Sequence, residues 1–222
     1  MAKDNLFQQL KPSILGNPLL RAPQREAYAA LEAFSALPNK NEREVEIILP
    51  VGCGKSGCIT LTPFAFKATR TLVVAPGLKI ANQLCNDFDP ARPDMFYQKC
   101  KVLSGIPYPE PVEIRGRTTN RNDLEEADVV LTNIQQLQGE NNHWLQELPD
   151  DFFDLIVFDE GHHSVASSWI TLKEKFPDAY IVNFSATPLR ADGQVMSGEV
   201  LYSFRFLEQF KKVMLSNLKP WY

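Results

Sequence analysis

The segment Pro50-Val51-Gly52-Cys53-Gly54-Lys55-Ser56-Gly57 carries the residue types needed to hold a polyphosphate. Glycines let a backbone wrap closely round a phosphate and turn its N–H groups toward it. Lys55 can reach β- and γ-phosphate oxygens, and the Ser56 hydroxyl can ligate Mg²⁺. An apolar run precedes the segment and a helical stretch follows, so the positive end of that helix would face the anion. The longer GxxxxGK[ST] form is not met, because Leu49 stands at its first position. A glycine-rich turn with a lysine by chance is the bland alternative.

A second cluster follows the run Leu155–Phe158: Asp159-Glu160-Gly161-His162-His163. An apolar strand that delivers two carboxylates to its end is costly unless they hold something. Beside a phosphate loop that something is Mg²⁺ and the attacking water. Asp159 would hold the metal, through water, since Mg²⁺ dehydrates reluctantly. Glu160 would orient and deprotonate the water. Neighbouring side chains on a strand end are expected to diverge, giving the two carboxylates different roles. His163 is read as a polar relay toward the γ-phosphate, with a plain loop as the alternative; His162 is assigned no role. A third element, Ser185-Ala186-Thr187-Pro188, follows the last apolar run and is weak alone.

These clusters need elements to position them. Five short apolar runs stand out: Val45–Leu49, Thr71–Ala75, Asp128–Leu131, Leu155–Phe158 and Tyr180–Phe184. Continuous runs of this kind suit strands buried on both faces of a parallel sheet. Pro23–Leu37, Lys55–Ala68, Gly77–Phe88 and Ser167–Phe176 read as helices between them. The alternation predicts an α/β fold, a mainly parallel sheet with helices on both faces. Ligands of such sheets bind at the carboxyl ends of the strands, where the clusters lie. Pro63 should kink or end the helix that follows the phosphate loop. Asp89–Thr119, with five of the 16 prolines, reads as irregular surface structure with a short strand candidate at Lys101–Leu103.

Composition narrows the classes. The 222 residues are 44% hydrophobic and 23% charged, as in globular domains rather than disordered chains. There is no apolar run of about 18 residues for a membrane span, and Met1–Leu10 lacks the long apolar stretch expected of a secretory leader. The net charge of −4 gives no bulk attraction to nucleic acid, which leaves a local groove. Cys53, Cys58, Cys85 and Cys100 form no CxxC pair and no zinc spacing, and read as reduced thiols of a cytoplasmic protein.

Taken in order, the motifs resemble the first motor domain of superfamily II DExH-type helicases and translocases. Pro50–Ser56 is similar to the PTGxGK[ST] form, in which position 49 need not be glycine. Asp159–His162 resembles the DExH box and Ser185–Thr187 the SAT motif. Gln24, in Arg21-Ala22-Pro23-Gln24, resembles the adenine-reading glutamine. Val74-Ala75-Pro76 and Leu131-Thr132-Asn133 with Gln135 resemble strand-end contacts to the nucleic-acid backbone. Ala186–Gly193, which includes Arg190, resembles the ATPxRxDG run of the group related to type III restriction-enzyme motor subunits.

The resemblance covers about residues 21–222, with 1–20 as an N-terminal extension. It implies a RecA-like domain that binds ATP at Gln24 and Pro50–Gly57, with Mg²⁺ at Ser56 and Asp159. It implies Lys55, Glu160 and His163 as catalytic, and Pro76, Thr132, Ser185, Thr187 and Arg190 as nucleic-acid or coupling residues. The expected partners are duplex DNA and a second RecA-like domain, in cis or on another subunit, with no membrane. Nothing after Thr187 resembles that second domain, so the expectation is a truncated, split or remnant motor that binds ATP but hydrolyses it poorly. The competing readings are a non-catalytic nucleotide-sensing or docking module and a P-loop small-molecule kinase.

Overall fold

A computed structural model describes residues 5–37, 42–114, 120–137, 143–160, 166–187 and 198–204. The strands are β1 (Glu44–Ile48), β2 (Thr71–Ala75), β3 (Pro111–Glu113), β4 (Val129–Asn133), β5 (Leu155–Asp159), β6 (Tyr180–Ser185) and β7 (Glu199–Ser203). They form one sheet in the order β3-β4-β2-β5-β6-β1-β7, and every described pairing is parallel. The helices are α1 (Leu6–Gln9), α2 (Ala22–Ser35), α3 (Lys55–Phe66), α4 (Leu78–Phe88), α5 (Phe96–Lys99), α6 (Arg121–Glu126), α7 (His143–Gln146) and α8 (Ala166–Lys175).

The chain leaves β1, passes β6 and β5 to build β2, and returns later to fill the gap. That reversal of strand order is where open α/β sheets bind ligands, beyond the carboxyl ends of the strands. β1, β2 and β4 are buried throughout because both faces are covered. Val45, Ile47, Val73, Leu131 and Val157 pack in one cluster with Ala27, Leu31, Ile59, Leu61 and Leu84. Leu72, Val74, Val130, Ile156 and Phe158 pack in another with Leu124, Trp144, Leu172 and Phe176.

All five expected strands are present, and two more lie at the sheet's outer edges. β3 pairs with β4 and β7 with β1. Lys101–Leu103 is not a strand. Lys101 sits at φ +50°, and the Val102 N–H donates to Tyr97 O, which closes a turn behind α5. The 89–114 stretch is anchored rather than superficial: Tyr97 is fully buried and its hydroxyl donates to Thr60 O at 2.6 Å. Pro63 lies inside α3, which ends three residues later at Phe66.

Residues 5–20 pack into the same core. Phe7, Ile14 and Leu20 are buried, Phe7 meets Phe64 edge-on at 4.9 Å, and the Asn17 amide donates to Cys100 O at 2.7 Å. At the other end of the sheet Arg70 donates to Ala127 O, Phe152 O and Glu125 O, with its guanidinium 4.0 Å from the Phe152 ring centroid.

Glu46, in the middle of β1, is fully buried, and neither carboxylate oxygen has a hydrogen-bond partner among the described residues. Burial, and then the neighbouring Glu44 carboxylate, push its pKa up to about 7. The unfolded chain releases this proton near pH 4.5, whereas the folded chain keeps it to about 7. Its contribution is therefore complete below pH 4.5 and is lost as pH rises to 7. Glu46→Gln, which keeps the shape without the charge, should gain stability over the parent between pH 5 and pH 8, by up to about 3 kcal/mol. Urea unfolding of both proteins at the two pH values checks this; a difference independent of pH would contradict it.

Candidate nucleotide site

β1 runs into the phosphate loop. The Leu49 N–H donates to Ser185 O at 2.8 Å, which ties the start of the loop to the end of β6. Gly52 and Gly54 both lie at φ +87°, a region that glycine enters without steric cost. Gly54 caps α3, so Lys55, Ser56 and Gly57 form its first turn, whose N–H groups have no carbonyl of the helix to bond. A Cβ on Gly57 would come within 2.5 Å of Phe96 Cε2 and would also strike the Gln24 amide, so only glycine fits. Val51, at the loop's tip, is 90% exposed.

β5 delivers the carboxylates from two strands away. Lys55 Nζ lies 3.3 Å from Asp159 Oδ1 and also pairs with Glu160 Oε1, and all three side chains are largely buried. The two carboxylates therefore do not diverge as a regular strand end would make them. Glu160 has left the strand conformation, with φ at +55°, and its N–H donates to Phe184 O at 2.9 Å. That turn brings its carboxylate to the same ammonium as Asp159.

Gln24 sits at the third position of α2, 5% exposed, facing the loop. Its Nε2 donates to Gly54 O at 3.0 Å and its Oε1 accepts from the Arg21 N–H at 2.9 Å. The Arg21 guanidinium donates to Gly52 O. Ser56 donates to the Asp87 carboxylate of α4; burial raises the Asp87 pKa, with this hydrogen bond and then Lys99 opposing the rise. Arg21, Asp87 and Phe96 were not singled out from the sequence. Arg21 carried a usable signal in its place three residues before Gln24; Asp87 and Phe96 carried none, since folding alone brings them to the loop.

The other expected residues are placed as follows. Ser185 is fully buried, its Oγ donating to Thr187 O at 2.6 Å and accepting from the Thr187 N–H. Thr187 is exposed and Pro76, after β2, is half-buried. Thr132 is fully buried in β4, so its hydroxyl does not meet solvent. His163 and Arg190 lie outside the described residues.

Glycine-cradled N–H groups, an ammonium, a hydroxyl and two carboxylates thus share one crevice at the carboxyl ends of β1, β5 and β6. Comparison with known proteins names the lineage. A family model described as "Type III restriction enzyme, res subunit" matches residues 17–190. The chain belongs to that family. This res-family chain is also 29% identical over 106 residues, 44% of its length, to the Saccharomyces cerevisiae protein named "Putative ATP-dependent helicase IRC3", of which it covers 15%. Its fold is similar to that of the bacteriophage T4 UvsW helicase, at TM-score 0.54 and 16% identity, covering 82% of this chain and 60% of that one. It is equally similar to the Pyrococcus furiosus Hef helicase domain, at TM-score 0.55 and 18% identity, covering 79% and 35%. The fold is RecA-like, and the chain spans only part of each of these relatives.

Proposed function

We propose that this chain is the ATP-binding part of a nucleic-acid helicase or translocase, acting on duplex DNA. The observation that carries the reading is the meeting of Lys55 with Asp159 and Glu160 over the phosphate loop. A hard divalent cation suits the oxygen donors here, with the Ser56 hydroxyl and the Asp159 carboxylate as its protein contacts. Mg²⁺ bound there would neutralise charge on the phosphates. Lys55 would turn from the carboxylates to the β- and γ-phosphates. Glu160, freed of it, would orient the attacking water and take its proton. His163 and Arg190 are assigned to the γ-phosphate relay and to coupling from their places in the motifs alone.

Pro76, Thr132, Ser185 and Thr187 line the strand ends that would bear on nucleic acid; buried Thr132 and Ser185 would act by shaping their loops. A second RecA-like domain, in cis or on another subunit, would cover the γ-phosphate and supply charge for the transition state. Exposed Val51 at the tip of the loop offers it a contact. The four cysteines are free thiols, which suits a reducing, cytoplasmic setting.

Gln24 would read adenine. Each end of its amide keeps one further hydrogen-bonding valence, enough for a donor and an acceptor on the base. Gln24→Ala should weaken ATP binding and reduce the preference for ATP over GTP about tenfold. Because Gln24 also steadies Gly54, affinity alone would be ambiguous; the ATP-to-GTP ratio of dissociation constants is the informative quantity. An unchanged ratio would make Gln24 a structural clamp.

A further inference from the structure

We infer that Phe96 is a positioning residue for adenine recognition, its ring holding the Gln24 amide in the orientation that reads adenine. The inference rests on the reading of Gln24 given above. Three residues meet at the first turn of α3. A Cβ on Gly57 would lie 2.5 Å from Phe96 Cε2 and 2.7 Å from Phe96 Cζ, and would strike Gln24 Nε2 as well. The ring edge and the amide nitrogen therefore share the space that a side chain at Gly57 would take.

The orientation of that amide decides which base it suits. Gln24 Oε1 accepts from the Arg21 N–H and its Nε2 donates to Gly54 O. Adenine offers an amino donor beside the acceptor N7, whereas guanine offers two acceptors on the same edge. An amide held this way gives adenine an acceptor and a donor. Against guanine O6 it sets oxygen on oxygen. Glutamine is long, with several rotatable bonds, and two hydrogen bonds can be exchanged for water at small net cost. A wall beside the amide removes the alternatives and keeps it ready for the base.

The wall is itself braced. Met95 and Tyr97, on either side of Phe96, are fully buried. The Tyr97 hydroxyl donates to Thr60 O at 2.6 Å, and the Thr60 hydroxyl donates to Gly57 O at 2.8 Å. The Asn17 amide donates to Cys100 O at 2.7 Å and the Ser13 N–H to Val102 O at 2.8 Å. α5 is thus fastened to α3 and the turn behind it to the 5–20 segment, and this places Phe96 beside Gln24.

The test is titration calorimetry of ATP, GTP and inorganic tripolyphosphate, each with Mg²⁺. It uses the 222-residue chain, Phe96→Ala, Phe96→Leu, Gln24→Ala and the Gln24→Ala/Phe96→Ala double variant. Tripolyphosphate carries no base, so it reports the phosphate loop alone. Phe96→Ala should lower the preference for ATP over GTP about fivefold, the worth of one weakened hydrogen bond, and leave tripolyphosphate affinity within about twofold. Phe96→Leu refills much of the wall and should keep most of the preference. The double variant should lose no more preference than Gln24→Ala alone, because Phe96 acts through that amide. If the alanine variant does not melt cooperatively, Phe96→Val takes its place. An unchanged preference in Phe96→Ala, beside a lowered one in Gln24→Ala, would overturn the inference and leave the adenine reading standing. A parallel loss of tripolyphosphate binding would make Phe96 a support of the loop and overturn it too. A further loss in the double variant would put the ring on the base itself, against a positioning role. An unchanged preference in Gln24→Ala would overturn the adenine reading and the inference with it.

Discussion

Lys55→Ala is expected to weaken binding of an ATP analogue about a hundredfold. A lysine that makes charge-assisted hydrogen bonds to two phosphates contributes about 1.5–3 kcal/mol per bond, and tenfold in affinity corresponds to about 1.4 kcal/mol. The same substitution has a second consequence. A lysine read only as a charge aimed at phosphates could be removed without cost to the fold. In the structure it also separates Asp159 from Glu160. Without it two largely buried carboxylates lose the ammonium with which both of them pair. The loss is about 1 kcal/mol, discounted for their partial exposure, or about 2–4 °C in melting temperature for a chain of this size. Titration calorimetry and thermal melting check both effects. Unchanged affinity would remove Lys55 from the nucleotide site; unchanged stability would mean that solvent screens the two carboxylates well.

What the sequence disclosed and what it hid divide along physical lines. The five central strands were legible because burial on both faces demands uninterrupted apolar runs. β3 and β7 were not, because each is an edge strand with one neighbour. Pro111–Glu113 is only three residues long, and no side chain of Glu199–Ser203 is fully buried. Lys101–Leu103 has strand-like composition, yet its apolar side chains serve a turn behind α5. The chemical residues were legible as types and spacings, since a glycine loop with lysine and paired carboxylates has few other uses. Their geometry was not. The left-handed backbone at Glu160, which gathers both carboxylates onto one ammonium, depends on the contact with Phe184 in a neighbouring strand. Asp87 and Phe96 likewise reach Ser56 and Gly57 only through tertiary packing.

Glu160→Gln is expected to keep ATP binding and lose turnover. Glutamine matches the size of glutamate but cannot accept the proton of the attacking water, and the loss of a general base costs about 10²–10⁴-fold. Binding should be retained or slightly tightened, because one negative charge leaves the vicinity of the phosphates and Lys55 loses a competing partner. The signature is a fall in kcat without a rise in the dissociation constant of the nucleotide. A parallel loss of both would point to a collapsed loop rather than a missing base.

The most direct test of the central claim, that this crevice couples ATP hydrolysis to nucleic acid, is phosphate release with and without duplex DNA. It is measured on the 222-residue chain alone and with a second RecA-like domain supplied. With a facing RecA-like domain present, DNA should raise the rate at least about tenfold, and Glu160→Gln should abolish the increase. The 222-residue chain alone should bind ATP yet release phosphate near background, because water screens the γ-phosphate on its open side. Hydrolysis that is indifferent to nucleic acid with that second domain present, or that survives Glu160→Gln, would contradict the account.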